Sequence, residues 1–195
     1  MHKFLRKLAQ ATFGTSLIGV GVAFNYIANI GLGPWGVFHD GLSKSLDMTY
    51  GRSIIITGTF VLFFWIPLNQ KPGIGTVIDI FLVGTVADLI INNFSVSNNI
   101  FLSYILIIFG ILLIGTGTAI YVGADLGAGP RDGIMVGLES LGFKIGFARN
   151  LIELIALVSG WLLGGLASYV TFLFVIGIGP VVQFVLPFVD TRSND

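Results

Sequence analysis

The sequence predicts an all-α membrane protein with six transmembrane helices and two short helices, arranged as two inverted repeats of three spans each. Scarcity of charge is the first of two observations behind this fold class. Only 10% of the 195 residues are Asp, Glu, Lys or Arg, whereas soluble domains carry about 25%, and the mean hydropathy is +0.93. Because these charges are too few to cover a water-facing surface, the expected solvent is a lipid bilayer. The second observation is an internal repeat.

Six apolar segments approach the length of about 20 residues that a transmembrane helix needs. They cover residues 8–29, 52–69, 74–92, 100–122, 148–165 and 168–188. Two further segments, 34–47 and 130–144, are too short and too polar to cross a bilayer. Each begins with proline, which is pre-organised for the first helical position. We therefore expect both to be short helices, either interfacial or re-entrant.

The distribution of Lys and Arg predicts that both termini are cytoplasmic. With the N-terminus inside, only Lys44 and Arg52 lie on the outer side. This agrees with the excess of basic residues found in the cytoplasmic loops of membrane proteins. The basic residues on the inner side are Lys3, Arg6, Lys7, Lys71, Arg131, Lys144, Arg149 and Arg192.

The internal repeat has an offset of 96 residues, so that Gly14–Leu42 matches Gly110–Leu138. It divides the chain into a first unit, residues 1–99, and a second unit, residues 100–195. Each unit holds three spans, and an odd number of crossings inverts the second unit relative to the first. Inverted repeats with broken helices are a recurring architecture of secondary transporters. The matched residues of the first unit are Gly14, Leu17, Ile18, Gly19, Gly21, Ala23, Ala28, Gly31, Gly33, Pro34, Gly41 and Leu42.

Short motifs in both units carry a family resemblance. They are GLGPW at 31–35, FH at 38–39, PLNQKPGIGT at 67–76, GAGPRDG at 127–133, Arg149 with Glu153, and GWLLGG at 160–165. Together they resemble the YczE/YyaS/YitT-type family of bacterial membrane proteins over nearly the whole chain. The resemblance implies an inner-membrane protein without an assigned activity. It also leads us to expect an acidic residue at Gly36, as at Asp132 of the second unit, and the sequence departs from it there.

The two Gly-x-Gly-Pro breaks are candidate substrate-binding or gating segments. A helix that starts after such a break directs free N–H groups and a partial positive charge towards an anion. The structural alternative is a tight turn between packed helices, in which glycine supplies the backbone angles. The candidate residues are Gly31, Gly33, Pro34 and Trp35 in the first break, and Gly127, Gly129, Pro130, Arg131 and Asp132 in the second.

Charged residues within the apolar segments form a second set of candidates. Arg149 and Glu153 are four residues apart, so we predict an ion pair on one helix face, with either a structural or a substrate-binding role. Arg131 is either an anion clamp or a topology anchor. Asp79 and Glu153 are candidate ion-coupling carboxylates.

Other polar residues have weaker assignments. We expect Asp88 near the outer interface, and Arg52 to pair with Asp40 or Asp47 or to reach lipid phosphates. His39 is a candidate proton-handling group, with an ordinary structural histidine as the alternative. Neutral polar side chains near the breaks can contact a solute or bridge helices, and these are Asn25, Tyr26, Asn29 and Tyr121.

Two function hypotheses follow. The first is a small-solute transporter or exporter, with a site between the units and an anionic small molecule as one substrate option. The second is a non-transporting membrane protein that scaffolds or regulates a partner, and a homodimer is compatible with either. We expect no enzyme, catalytic residues, metal or cofactor, because the chain has no cysteine, two histidines and no nucleophile beside a base. Zero net charge makes nucleic acid a poor partner.

Overall fold

A computed structural model describes residues 2–191, and this part of the chain contains eight α-helices and no β-strand. A 3₁₀-helix, Leu62–Trp65, extends the third α-helix. The all-helical prediction is therefore confirmed for this part. The helices are α1 (His2–Ala28), α2 (Pro34–Ser45), α3 (Tyr50–Val61), α4 (Ile74–Ile91), α5 (Ile100–Gly123), α6 (Pro130–Ser140), α7 (Ile145–Leu162) and α8 (Val170–Val189).

Five helices within residues 2–191, namely α1, α4, α5, α7 and α8, are long and apolar enough to cross a membrane. The remaining predicted span, residues 52–69, is shorter than expected. Its apolar helix covers Tyr50–Trp65, and the chain then turns through Asn69, which has a positive φ of 52°. The two short helices form where the sequence predicts them. The second ends early, at Ser140, because Gly142 adopts a left-handed conformation (φ 95°) that stops a helix.

Glycines hold α1 and α5 in close antiparallel contact. A Cβ atom on Gly14 would lie 2.7 Å from the carbonyl oxygen of Gly117, and one on Gly21 would lie 2.7 Å from that of Gly110. Residue numbers rise along one helix as they fall along the other, which makes the pair antiparallel. The contact is also reciprocal, because positions 14 and 110 and positions 21 and 117 are counterparts in the repeat.

Close contacts also give the direction of α3 and α4. Gly51 of α3 lies against Gly84 of α4, where a Cβ atom would be 2.0 Å from the carbonyl oxygen, and Gly58 lies against Ile80. These two helices are therefore antiparallel. The α4 helix runs parallel to α1. Gly19 of α1 contacts α4 at Val83, and the segment that follows α4 is hydrogen-bonded to the C-terminal end of α1.

Both ends of the described chain meet at one end of the bundle. The Gln10 side-chain amide donates to the Val189 carbonyl oxygen at 2.7 Å, and the Thr191 hydroxyl donates to that of Gly123 at 2.6 Å. Lys7 lies 3.8 Å from Asp125 at the same end. This arrangement agrees with termini on a common side, although Arg192, which also entered the orientation prediction, lies outside the described residues.

The two units differ where their tryptophans lie. Trp65, at the end of the 3₁₀-helix, is only 2% exposed, and its indole N–H donates to the Pro130 carbonyl oxygen at 2.8 Å. Its ring rests on Gly133, where a Cβ atom would come within 2.0 Å of it. The counterpart Trp161 is 64% exposed on the outside of the bundle. The second unit is therefore not a copy of the first at this level of the fold.

Candidate functional site

A cavity of about 580 Å³ lies between the two Gly-x-Gly-Pro breaks. Its wall includes residues 33–36 of the first break and residues 129–132 of the second. Most of the remaining wall is apolar and comes from α1, α3, α4, α5 and α8. Its size falls within the range of small-molecule sites.

Each break is fixed by a threonine from the opposite unit. The Thr171 hydroxyl of α8 donates to the Leu32 carbonyl oxygen at 2.7 Å, and the Thr76 hydroxyl of α4 donates to that of Ala128 at 2.7 Å. Leu32 and Ala128 are counterparts in the repeat, so this contact is exchanged between the units. The α4 threonine also accepts from the Gly73 backbone N–H at 3.0 Å.

Glycine is required in each break by backbone geometry. Gly31 has a φ of 145° and Gly127 a φ of 124°, values that side chains rarely allow. A Cβ atom on Gly31 would also lie 2.0 Å from the Ser168 hydroxyl oxygen. Neither glycine lines the cavity. The structural alternative therefore applies to these two residues, and the rest of each break faces the cavity.

The short helices start at the cavity. The N-cap residues of α2 and α6 are Gly33 and Gly129, which have no side chain to accept a hydrogen bond from the first turn of the helix. The Val37 N–H bonds to the Gly33 carbonyl oxygen at 2.8 Å and so closes the first turn of α2. The backbone N–H groups of Trp35 and Gly36 come before that bond and have no acceptor within their own helix. Each short helix thus presents its positive end to the cavity.

Carboxylates collect at the end of the cavity formed by the second break. The Cβ position of Gly129 would lie 3.0 Å from an Asp132 carboxylate oxygen and 3.6 Å from one of Asp79. Arg131 also lines this end. Burial raises the pKa of the Asp132 carboxyl, while the guanidinium groups of Arg131 and Arg149 act in the opposite direction.

Arg149 and Glu153 form the predicted pair within α7. The Nε atom of Arg149 donates to Oε1 of Glu153 at 3.1 Å, and both residues line the cavity. Asp79 differs, because its carboxylate makes no hydrogen bond or ion pair with the described residues. An unpaired carboxylate within a transmembrane helix is costly, and such residues commonly mark ion or proton pathways.

The other end of the cavity is lined by aromatic and neutral polar side chains. Trp35 and His39 lie one turn apart on α2, with ring centroids 6.2 Å apart. Burial, and to a lesser degree the charge of Arg131, lower the pKa of His39 to about 3, so its ring is neutral at physiological pH. Asp40 is turned away from the cavity, because its carboxylate accepts from Lys44 at 2.6 Å and from the Leu166 backbone N–H at 2.8 Å.

Several residues that line this cavity carry a buried polar atom that has no hydrogen-bond partner among residues 2–191. Buried polar groups are normally hydrogen-bonded, and leaving one unpaired costs about 1–3 kcal/mol. Because these atoms have almost no accessible surface, they lie behind the wall of the cavity and are not open to its interior. The atoms are both amide atoms of Asn25, Nε1 of Trp35, Nδ1 of His39, and the hydroxyl oxygens of Thr57 and Thr118.

Two predictions about charged residues expected on the outer side need correction or refinement. Arg52 does not pair with Asp40, because Lys44 occupies that carboxylate, and it forms no ion pair within the described chain. The side chain of Asp88, on α4, reaches the start of α3, where its Oδ1 atom accepts from the Gly51 backbone N–H at 2.6 Å. Its role is thus to bind the N-terminal end of a neighbouring helix.

Sequence reasoning missed Thr57 and Thr118. Threonines in membrane helices commonly bond to their own backbone, as Thr59 and Thr85 do. Nothing in the sequence separates these two pairs. Thr57 is buried, with 5% of its surface exposed, and it lines the cavity. Only the packing shows that its hydroxyl lacks such a bond.

Comparison with known proteins agrees with a bacterial membrane family. A family described as "Family of unknown function (DUF6198)" matches residues 5–187. An uncharacterised protein of Haemophilus influenzae is 34% identical over 175 residues, covering 89% of this chain and 80% of the relative. The uncharacterised membrane protein YczE of Bacillus subtilis is 33% identical over 177 residues, covering 90% and 80% respectively.

A third relative, the uncharacterised protein YyaS of Bacillus subtilis, is 29% identical over 184 residues, covering 91% of this chain and 90% of the relative. No solved structure matches the chain. The helices, the matched residues and these relatives together confirm the resemblance drawn from the motifs: the chain is a membrane protein that belongs to the DUF6198 family and is of the YczE/YyaS type.

Proposed function

We propose that the chain is a small-solute transporter or exporter of the bacterial inner membrane, with its binding site in the central cavity. The observation that carries the proposal is the cavity of about 580 Å³ itself, which both breaks line and whose wall also carries charged side chains from α4, α6 and α7. These charged side chains can bind the polar groups of a solute. Transporters commonly bind substrates at broken helices between inverted repeats.

The proposed architecture has six crossings in two inverted units, residues 1–99 and 100–195. Support comes from the reciprocal contacts of the α1–α5 pair and from the exchanged bonds of Thr76 and Thr171. The sixth crossing is α3 with its 3₁₀ extension. Twelve α-helical and four 3₁₀ residues span about 26 Å, close to the hydrocarbon thickness of about 30 Å.

The orientation we propose places both termini in the cytoplasm, and surface labelling tests it. The chain has no cysteine, so Ser95→Cys and Lys71→Cys each introduce a single exposed thiol. A membrane-impermeant maleimide is expected to label the first in intact cells and the second only after permeabilisation. Labelling in the reverse pattern would contradict the orientation, and equal labelling of both in intact cells would contradict the inverted arrangement.

Asp79 is the proposed ion-coupling residue. Glu153 was the other candidate, but its ion pair with Arg149 leaves it less free to take up an ion or proton. Asp79 lines the same cavity without such a partner. We propose that Arg131 balances part of the negative charge at the second-break end of the cavity, where three carboxylates and two guanidinium groups line the wall.

Flux measurements in proteoliposomes test transport. The purified protein is reconstituted and the uptake of a panel of radiolabelled metabolites is measured against protein-free liposomes. We expect at least one solute to enter, and Arg131→Ala to reduce its uptake by about tenfold, as expected when a charged hydrogen-bonding partner is lost. The matched control is Arg52→Ala, because Arg52 lies on an exposed face and does not line the cavity.

Two results would reject the proposal. One is the absence of flux for every solute of the panel, and the other is equal uptake by the Arg131→Ala and Arg52→Ala variants. If no flux is found and a stoichiometric membrane protein co-purifies, the scaffold hypothesis takes its place.

A further inference from the structure

We propose that α7 and α8 form a gate at the cytoplasmic end of the central cavity, which closes when α7 packs on α8 as α3 packs on α4. This inference rests on the proposed function and its inverted units, and it assigns the contacts that change when the cavity opens to the other side. In transporters built from inverted repeats, one unit commonly moves against the other around a fixed site. Closure of the gate requires no solute, so it can be measured separately from transport.

A close contact between α3 and α4, here called the outer contact, is formed by Thr49, Gly51, Gly84 and Asp88. A Cβ atom on Gly51 would lie 2.0 Å from the Gly84 carbonyl oxygen, and one on Gly84 would lie 2.4 Å from that of Gly51. The Asp88 carboxylate accepts from the Gly51 N–H at 2.6 Å and from the Thr49 hydroxyl. The outer contact lies away from the termini, because α4 runs parallel to α1 and Asp88 is in its last turn.

The repeat identifies the residues of α7 and α8 that correspond to the outer contact. Arg52 of α3 aligns with Arg149 of α7, one residue beyond the main offset of 96. Gly84 of α4 aligns with Gly179 of α8, one residue short of that offset. The counterparts of the four residues of the outer contact are, in the same order, Gly146, Ala148, Gly179 and Gln183.

These counterparts stand apart in the structure. A Cβ atom on Gly146 or on Gly179 would meet nothing within 4 Å, and α7 and α8 make hardly any contact with each other. Gly146, Gly179 and Gln183 instead line the cavity, which therefore extends between the two helices. One pair of helices is thus closed, and the corresponding pair is open.

The open pair lies at the end of the bundle where the termini meet. Gly146 is at the start of α7. Gln183 is in the second half of α8, whose Val189 carbonyl oxygen accepts from Gln10. In the proposed orientation this end is cytoplasmic. The protein is therefore closed at the outer contact and open towards the cytoplasm, and the gate closes that second side.

The α7 helix is fixed near its C-terminal end, whereas α8 does not restrain its start. A Cβ atom on Gly160 would lie 2.4 Å from the Phe38 Cα atom, and one on Gly41 would lie 2.5 Å from the Gly160 carbonyl oxygen. This close contact with α2 provides a pivot. A rotation of α7 about Gly160 brings Gly146 towards Gln183.

Cysteine cross-linking tests the gate, because the chain has no cysteine of its own. The test pair is Gly146→Cys with Gln183→Cys, of which the first position has free space around it and the second is exposed. A disulfide needs Cβ atoms about 3.8 Å apart, whereas a Cβ atom on Gly146 has no neighbour within 4 Å in the open gate. Cross-linking of the test pair therefore reports closure.

The purified protein in detergent is oxidised with copper phenanthroline, and the remaining thiols are counted by the gel shift that a polyethylene glycol maleimide causes. The control pair is Gly146→Cys with Thr85→Cys, because Thr85 lies on an exposed face of α4. We expect the test pair to form a disulfide within one chain and the control pair to keep both thiols. A test pair that is cross-linked no faster than the control pair overturns the inference.

A substitution in the outer contact tests whether the two ends close in turn. Asp88→Asn removes the charge from the acceptor of two hydrogen bonds, and hydrogen bonds to charged groups are about twice as strong as neutral ones. Because this change weakens closure of the outer side only, we expect the test pair to be cross-linked about tenfold faster. The matched control Asp47→Asn makes the same change at an exposed residue of the same end and is expected to leave the rate unchanged.

A second variant keeps the test decisive if Asp88→Asn does not fold. Thr49→Val keeps the shape of the side chain but removes the hydroxyl that donates to Asp88, and we expect about threefold faster cross-linking of the test pair. A rate equal to that of the Asp47→Asn control, in either variant, overturns the inference.

The two proposals fail in different ways. Cross-linking of the gate without flux of any solute would reject transport and leave the gate in place. Flux by a protein whose test pair does not cross-link would reject the gate and leave transport in place.

Discussion

Replacing Thr76 by valine tests whether the broken helices are fixed by contacts exchanged between the units. The substitution keeps the shape of the side chain but removes its hydroxyl, which donates to the Ala128 carbonyl oxygen at 2.7 Å and accepts from the Gly73 N–H at 3.0 Å. Thr76 is fully buried, so both backbone groups lose a partner that water does not replace.

The size of the effect follows from these two bonds. An unsatisfied buried group costs about 1–3 kcal/mol, but measured side-chain hydrogen bonds in membrane proteins average about 0.6 kcal/mol. We therefore expect Thr76→Val to lower the free energy of unfolding by about 1–2 kcal/mol. Thr171→Val, which removes the bond to the Leu32 carbonyl oxygen at 2.7 Å, is expected to have a loss of similar size.

The measurement is unfolding in mixed micelles by added SDS, followed by far-UV circular dichroism. Thr85→Val is the matched control, because that exposed hydroxyl bonds only to its own helix, at the Phe81 carbonyl oxygen. We expect the control to change stability by less than about 0.5 kcal/mol. The reasoning is refuted if Thr76→Val or Thr171→Val costs no more than the control.

Two further predictions concern packing, and both use the same unfolding assay. Gly21→Ala is expected to destabilise the protein by at least about 1–3 kcal/mol, because its Cβ atom would lie 2.7 Å from a carbonyl oxygen of α5. Gly146→Ala, whose Cβ atom would meet nothing within 4 Å, is expected to be neutral or slightly stabilising, and equal effects of the two variants would contradict close packing of α1 on α5. Trp65→Phe removes the indole donor to the carbonyl at the start of α6 and is expected to cost about 1–3 kcal/mol. The exposed Trp161→Phe should cost less than about 0.5 kcal/mol, and the reverse order would exclude a stabilising role for the buried indole.

The helices were predictable because their ends are marked by residues whose chemistry is local. Gly33-Pro34 and Gly129-Pro130 start α2 and α6 where expected, since proline suits a first helical position and lacks the N–H that would be unpaired there. The second span was predicted to end four residues too late, at residue 69. Pro67 marks its end in the sequence, because the residue before a proline disfavours the helical conformation, and the helix stops at Trp65.

The cavity was predictable only through the repeat. The matched breaks indicated where a site between the units would lie, and Arg131, Asp132, Arg149 and Glu153 line it. The bonding state of each polar residue depends on packing between helices that are distant in sequence. For this reason the unpartnered Asn25 could not be told from its satisfied counterpart in the other unit.

Transport through the cavity is tested most directly by blocking it chemically. Because the chain has no cysteine, Val182→Cys places a single thiol in the cavity wall, and Thr85→Cys places one on an exposed face of α4. Uptake of a solute that the flux panel identifies is measured in proteoliposomes before and after treatment with a charged methanethiosulfonate. We predict that treatment stops uptake by Val182→Cys and leaves that by Thr85→Cys unchanged. Unchanged uptake by the treated Val182→Cys variant would contradict a solute path through this cavity.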